Sequence, residues 1–172
     1  MVRKKGAEVF LDFKFFDIPN TVVQAVRSAV RHKVKMLTLH ILGDEEMIRA
    51  AVKAAKDEAR KLKVKRPLLI GVTVLTSKEA KSSDVLVLAK MGLECGLDGV
   101  VCSAQEAEFL RNNLKRKFIM VTPGIRSNLT AKGDQKRTAT AASAIAAGSN
   151  FLVVGRPILE ARDPLKALKN LL

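Results

Sequence analysis

The most constraining feature of the chain is a regular alternation of short apolar runs, rich in β-branched residues, with amphipathic segments of helix length. The predicted strands are residues 9–15, 36–42, 68–75, 99–103, 118–122 and 151–155. The predicted helices are residues 21–31, 45–62, 84–95, 104–112, 140–147 and 164–171. Strands that are almost continuously apolar are typical of a parallel sheet covered on both faces. The pattern therefore predicts a parallel α/β fold, and no linker divides residues 1–172 into more than one domain.

Polar or glycine residues cluster where the predicted strands end. They are Asp12, Lys14, Asp17, His40, Thr76, Ser77, Ser103, Arg126, Gly155 and Arg156. In a βα barrel the functional face is built at the carboxyl ends of the strands, and a closed barrel has eight of them. The pattern therefore predicts one functional face, and about six parallel strands would leave a (β/α)8 TIM-barrel type of fold incomplete.

The formal net charge of +14 indicates anionic partners, either nucleic acid or phosphorylated small molecules. The chain has no Trp or Tyr for base stacking, and its lysines are spread along helix-like segments, which favours a solvated basic surface over nucleic-acid binding. No apolar run is long enough to cross a bilayer, and the N-terminus lacks a signal-peptide pattern. We expect a cytoplasmic protein whose two cysteines, Cys95 and Cys102, are reduced and structural.

A charged group marks the end of the first predicted strand. Asp12 and Lys14 are two residues apart, so regular strand alternation points both side chains to the same side, and Asp17 follows the strand. Two carboxylates around one ammonium keep the lysine charged and fixed in position. The pattern fits a catalytic group, and it fits a structural ion pair equally well.

Two later segments predict a site for an anion. Residues 121–126 end a strand in Pro-Gly and lead to a polar, basic loop at residues 133–137. A further strand ends in Gly155 and Arg156, where exposed backbone N–H groups and a guanidinium can hold a phosphate. Barrels commonly bind phosphate in the loops after their last two strands, although a surface salt bridge is the alternative for Arg156. His40 either lines the site or is a core histidine, and no cluster has metal-ligand spacing.

Five segments, in order along the chain, resemble motifs of the orotidine 5′-phosphate decarboxylases. They are residues 9–22 (VFLDFKFFDIPNTV), 75–77 (LTS), 121–126 (VTPGIR), 133–137 (GDQKR) and 153–158 (VVGRPI). The resemblance extends over essentially the whole chain. It implies a homodimeric βα barrel that converts orotidine 5′-phosphate (OMP) to UMP and carbon dioxide with no cofactor and no metal.

The resemblance also implies roles for the matching residues. Lys14 would protonate C6 of the pyrimidine, and Asp12 would hold Lys14 and crowd the substrate carboxylate. Asp17, Ile18 and Thr21 would reach into the site of the neighbouring subunit. The implied substrate contacts are Thr76 or Ser77 at the pyrimidine, Pro123 at the pocket wall, and Gln135, Gly155, Arg156 and the further phosphate-side residue Arg126.

The chain departs from the family pattern at three places. Phe16 stands where the signature has a histidine, and residues 138–141 lack the usual Thr-Pro step. Family members begin with two further strands, which carry a ribose-binding Asp and a Lys of the catalytic network, whereas residues 1–6 resemble the end of the helix before the third strand. About 60 residues would be missing. We therefore expect the first and last strands to be sheet edges, and the chain to be weakly active or inactive on OMP.

Two other functions remain as alternatives. A magnesium-dependent sugar-phosphate decarboxylase of the same suprafamily would share the Asp-x-Lys-x-x-Asp pattern, but residues 18–21 and the Gly-Asp-Gln segment favour OMP. A non-catalytic remnant, stable as an oligomer, would fit the missing strands. RNA binding by the basic surface ranks behind both.

Overall fold

The computed structural model describes residues 5–75, 80–126 and 138–171. Its strands are β1 (Phe10–Phe15), β2 (Met36–His40), β3 (Leu68–Val72), β4 (Gly99–Val101), β5 (Ile119–Thr122) and β6 (Phe151–Leu152). Its helices are α1 (Pro19–Arg31), α2 (Asp44–Leu62), α3 (Ser82–Glu94), α4 (Ala104–Asn113), α5 (Ala141–Ala146), α6 (Arg156–Leu159) and α7 (Pro164–Lys169). The strands follow the order β1-β2-β3-β4-β5-β6 in one sheet. Parallel strands that alternate with helices confirm the predicted incomplete (β/α)8 fold, and β1 and β6 end the order as expected.

Several strands end earlier than predicted. β2 ends at His40 because Ile41–Gly43 form a 3-10 turn, in which Ile41 is fully buried without pairing to a strand. β4 ends at Val101, and Ser103 is instead the N-cap of α4. The Ser103 hydroxyl and backbone N–H both donate to Glu106 Oε2 at 2.8 Å, as part of a capping box. The predicted strands were too long because apolar or buried residues continue past the points where the strands end.

The chain divides into two compact units, one formed by Met1–Thr73 with Leu88–Val100 and the other by Val74–Val87 with Val101–Leu172. In the first unit, β2 pairs in parallel with both β1 and β3 and is buried along nearly its whole length. Helices α1 and α2 bury apolar faces in this unit. The largest fully buried side chains of the unit include Val22, Leu37, Leu39, Met47, Ile48, Leu69 and Ile70. No residue of β1 is fully buried, as expected for an end strand, because its residues are either partly buried or exposed.

The second unit contains β5 and β6, which pair in parallel with Val121 opposite Phe151. A small core of Ile125, Ala141 and Ala144 packs beside this pair. Each unit also buries one cysteine that is not in a disulfide, Cys95 in the first and Cys102 in the second, as predicted for reduced thiols. Desolvation raises the pKa of the Cys95 thiol. Among the described residues, no helix is both long enough and apolar enough to cross a membrane.

Candidate active site

The predicted pair of Asp12 and Lys14 is formed near the carboxyl end of β1. Lys14 Nζ lies 2.6 Å from Asp12 Oδ2, and the two side chains are 37% and 44% exposed. Charged side chains in an apolar strand are expected to be buried with a partner, and this pair has its partner but is only partly covered. The reason is the place of β1 at the end of the sheet order, where β2 is its single strand neighbour.

A β-bulge in β1 sets the direction of the Lys14 side chain. The pairing register of β1 with β2 shifts between Leu11 and Phe15, and Lys14 has a φ of 51°. This left-handed conformation is uncommon for residues other than glycine, and bulges re-aim side chains. Lys14 therefore contacts Asp12 from a part of β1 where the pairing with β2 is irregular.

Thr38 of β2 connects the two residues of the pair. Its hydroxyl accepts a hydrogen bond from the Lys14 backbone N–H at 2.9 Å and donates one to Asp12 Oδ1 at 2.9 Å. Thr38 is fully buried. The two carboxylate oxygens of Asp12 are thus divided, with Oδ1 bound to Thr38 and Oδ2 bound to Lys14. The sequence held no signal for this residue, because a threonine inside an apolar strand is common.

His40 lies two residues beyond Thr38 on β2, which places its side chain on the same side of the strand. Its Nδ1 is buried and has no hydrogen-bond partner among the described residues, and its ring lies 5.5 Å from the ring of Phe16. Burial lowers the pKa of His40, the positive charge of Lys14 lowers it further, and Asp12 opposes both effects. His40 therefore interacts electrostatically with the charged pair, and its Nδ1 is not satisfied within the described residues.

Residues predicted to face a neighbouring subunit lie just beyond β1. Asp17 Oδ1 accepts a hydrogen bond from the Ile18 backbone N–H at 2.7 Å, which fixes the entry to α1. Ile18 is 67% exposed, and Thr21 is exposed on the first turn of α1. A shallow cavity of about 330 Å³ is lined by Phe16, Asp17, Ile18, Pro19, Leu42, Gly43 and Asp44. This surface is open in the single chain.

The second unit holds the described part of the predicted phosphate site. Arg126 makes two hydrogen bonds to main-chain carbonyls. Its backbone N–H donates to Ala139 and its Nη1 donates to Ile125, both at 2.9 Å. Gly155 precedes α6, and a Cβ added there would meet no atom within 4 Å. Arg156 begins α6 and is partly buried, as is Pro123 after β5.

The remaining predicted residues lie outside the described residues. They are Thr76, Ser77 and Gln135, together with the loop 133–137 and residues 1–4 of the predicted helix end. Within residues 5–75, 80–126 and 138–171, no three His, Cys, Asp or Glu side chains are grouped so that they could hold a metal ion.

The fold and the charged strand-end pair define a protein of the (β/α)8 class, and comparison with known proteins identifies its family. The model of the orotidine 5′-phosphate decarboxylase / HUMPS family matches residues 1–171. The orotidine 5′-phosphate decarboxylase of Chromobacterium violaceum is 49% identical over 96% of this chain and 69% of its own length. That of Coxiella burnetii is 46% identical over 96% of this chain and 74% of its own. The chain therefore belongs to the orotidine 5′-phosphate decarboxylase / HUMPS family, which confirms the resemblance seen in its motifs.

A solved structure agrees with this assignment. The crystal structure of orotidine 5′-phosphate decarboxylase from Lactobacillus acidophilus is similar to the chain with a TM-score of 0.82 and 35% sequence identity. The similarity covers 97% of this chain and 75% of that one. Each of these relatives thus contains a part that this chain does not match.

Proposed function

We propose that the protein decarboxylates OMP to UMP and carbon dioxide, with Lys14 as the proton donor to C6. The family and the names of its relatives support the reaction. The observation that carries the assignment of Lys14 is its ammonium, held 2.6 Å from Asp12 near the carboxyl end of β1. In a βα barrel that end of the strands is where catalytic residues lie.

The proposed chemistry needs a fixed positive charge. When the bond between C6 and the substrate carboxyl group breaks, its electron pair stays on C6 and carbon dioxide leaves. The Lys14 ammonium stabilises that negative charge as it develops and then donates a proton to C6. Asp12 holds the ammonium in place, and its own negative charge disfavours the substrate carboxylate before it leaves.

The remaining roles follow the family motifs. Gly155 and Arg156 bind the 5′-phosphate with Gln135, and Arg126 lies on the phosphate side. The open space beside the Gly155 α-carbon supports this role, since an anion can approach the backbone there. Thr76 or Ser77 contacts the pyrimidine, and Pro123 lines the pocket wall.

We further propose a cytoplasmic homodimer of one-domain subunits. The family match over residues 1–171 supports a single domain. The exposed positions of Asp17, Ile18 and Thr21 support their contact with the partner's site, because Ile18 is a large apolar side chain with little cover in the single chain. OMP and UMP are the ligands in this proposal, and nucleic acid is not.

The decisive experiment follows the ultraviolet absorbance of OMP with the purified chain, in the presence of a chelator. We expect turnover to be weak, as predicted from the sequence, and Lys14→Ala should lower kcat by at least about a further 100-fold, the smaller effect of losing a positioned acid. Lys53→Ala is the matched control, since Lys53 is an exposed lysine of α2. Equal activity of the Lys14→Ala and Lys53→Ala variants would refute the role of Lys14.

Two results would favour the alternatives. Turnover of a sugar phosphate that requires added magnesium, without turnover of OMP, would identify the other decarboxylase. Tight UMP binding without turnover of either substrate would identify a non-catalytic remnant.

A further inference from the structure

We infer that Thr38 is a positioning residue for the Asp12–Lys14 pair. The inference rests on the proposed function, because it gives the pair its task of proton transfer. Thr38 is fully buried on β2, and its hydroxyl makes hydrogen bonds to both members of the pair. It touches neither substrate nor reacting atoms in this role. It acts through Asp12 and Lys14.

The position of Thr38 requires a group that can both donate and accept a hydrogen bond. A hydroxyl has one proton to donate and lone pairs with which to accept. Thr38 donates its proton to Asp12 Oδ1 and accepts the N–H of Lys14, each at 2.9 Å. An aliphatic side chain of the same size fills the space and can do neither. Since Asp12 Oδ1 is held by Thr38, the other oxygen, Oδ2, is presented to Lys14 Nζ.

The hydrogen bond from the Lys14 N–H also holds the bulge. Lys14 has a left-handed φ of 51°, which residues with a Cβ adopt when their surroundings impose it. The bond to Thr38 is the interaction that ties this amide to β2, across the register shift between Leu11 and Phe15. Without it, the left-handed conformation of Lys14 loses its tie to β2, and the direction of the lysine side chain is no longer fixed.

The test compares two substitutions at Thr38. Thr38→Val keeps the shape and removes both hydrogen bonds, whereas Thr38→Ser keeps the hydroxyl and removes a methyl group. Ser149→Ala is the control for losing a hydroxyl hydrogen bond, because Ser149 is partly buried, lies outside the predicted site segments and bonds Thr122 at 2.6 Å. A displacement of a catalytic group by about 1 Å can cost roughly a hundredfold in rate. We expect a loss of that size in kcat for Thr38→Val, with KM for OMP unchanged.

A second readout does not depend on turnover. Lys14 is 37% exposed, so an amine-acylating reagent reaches it, and mass spectrometry of peptides measures its rate of modification. Thr38→Val should speed modification of Lys14 because Nζ is released from Asp12, while Thr38→Ser and Ser149→Ala should leave the rate as in the wild type. A role limited to stability would lower the resistance of Thr38→Val to urea and leave both kcat and this rate unchanged.

The two proposals fail in different ways. If the wild-type chain does not turn over OMP but Thr38→Val still accelerates acylation of Lys14, the proposed function is wrong and the positioning by Thr38 stands. If the wild type is active and Thr38→Val keeps its kcat and its acylation rate, the inference about Thr38 is overturned. Failure of Thr38→Ser to restore kcat would also overturn it, because the hydroxyl would then not be the group that matters.

Discussion

Replacing Asp12 by alanine and by asparagine should separate the two bonds of its carboxylate. Oδ2 pairs with Lys14 at the surface, where both side chains are more than a third exposed. Exposed ion pairs of this kind stabilise a protein by about 0–1 kcal/mol after screening by solvent. Oδ1 accepts from the buried Thr38 hydroxyl, and a buried donor left without a partner costs about 1–3 kcal/mol.

The two variants should therefore differ in stability. Asp12→Ala removes both bonds and should lower the free energy of unfolding by about 1–4 kcal/mol, from the sum of the two contributions. Asp12→Asn removes the charge but keeps an amide oxygen that can accept from Thr38, so it should lose less than about 1 kcal/mol. Both variants should lose most of their activity on OMP, because neither carries the carboxylate that holds Lys14.

Urea unfolding followed by far-ultraviolet circular dichroism measures this difference. The chain has no Trp or Tyr, so tryptophan and tyrosine fluorescence offer no signal. The midpoints should fall in the order wild type, Asp12→Asn, Asp12→Ala, with similar dependence on urea concentration. Equal destabilisation of the two variants would refute the reasoning, since the surface ion pair rather than the bond to Thr38 would then dominate.

Two further predictions concern phosphate binding and the state of the histidine. Arg156→Ala should weaken UMP binding roughly tenfold to hundredfold, because a charged hydrogen bond contributes about 1.5–3 kcal/mol. Calorimetry measures the affinity, with Arg162→Ala as the control at an exposed arginine. Equal affinity of the two variants for UMP would contradict the phosphate role. Lys14→Met should raise the pKa of His40 and Asp12→Asn should lower it, as measured by NMR titration of the His40 imidazole. The pKa of His40 is lowered in the folded state, so this residue should not affect stability above its ordinary pKa of about 6.5. As the pH falls below that value, His40 should destabilise the fold progressively. A difference in unfolding free energy between wild type and His40→Asn that does not change with pH would contradict this.

The alternation of apolar runs predicted the strand and helix order because each strand of a covered sheet must be apolar on both faces. The pair of Asp12 and Lys14 was predictable for the related reason that charges inside such a run need a partner. Strand ends were less predictable. Ile41 and Ser103 follow strands and are buried for other reasons, one in a 3-10 turn and one as a helix cap.

The geometry within the pair could not be predicted from the sequence. A left-handed backbone is usually marked by glycine, and here the position is occupied by Lys14. The groups that hold it come from another strand, 24 residues further along the chain in the case of Thr38. Likewise, the coupling of His40 to the pair depends on how β1 and β2 are aligned, which the pattern of either strand alone does not specify.

The two buried cysteines have a consequence for how the chain can be observed. Cys95 belongs to one compact unit and Cys102 to the other, and both are buried thiols outside any disulfide. A thiol reagent can reach each sulfur only when its own surroundings open, so the two modification rates report the opening of the two units independently. Equal rates under all conditions would mean that the units open together, and a faster rate at one cysteine would identify the unit that yields first. The two native cysteines therefore allow the opening of each unit to be followed without introducing a label.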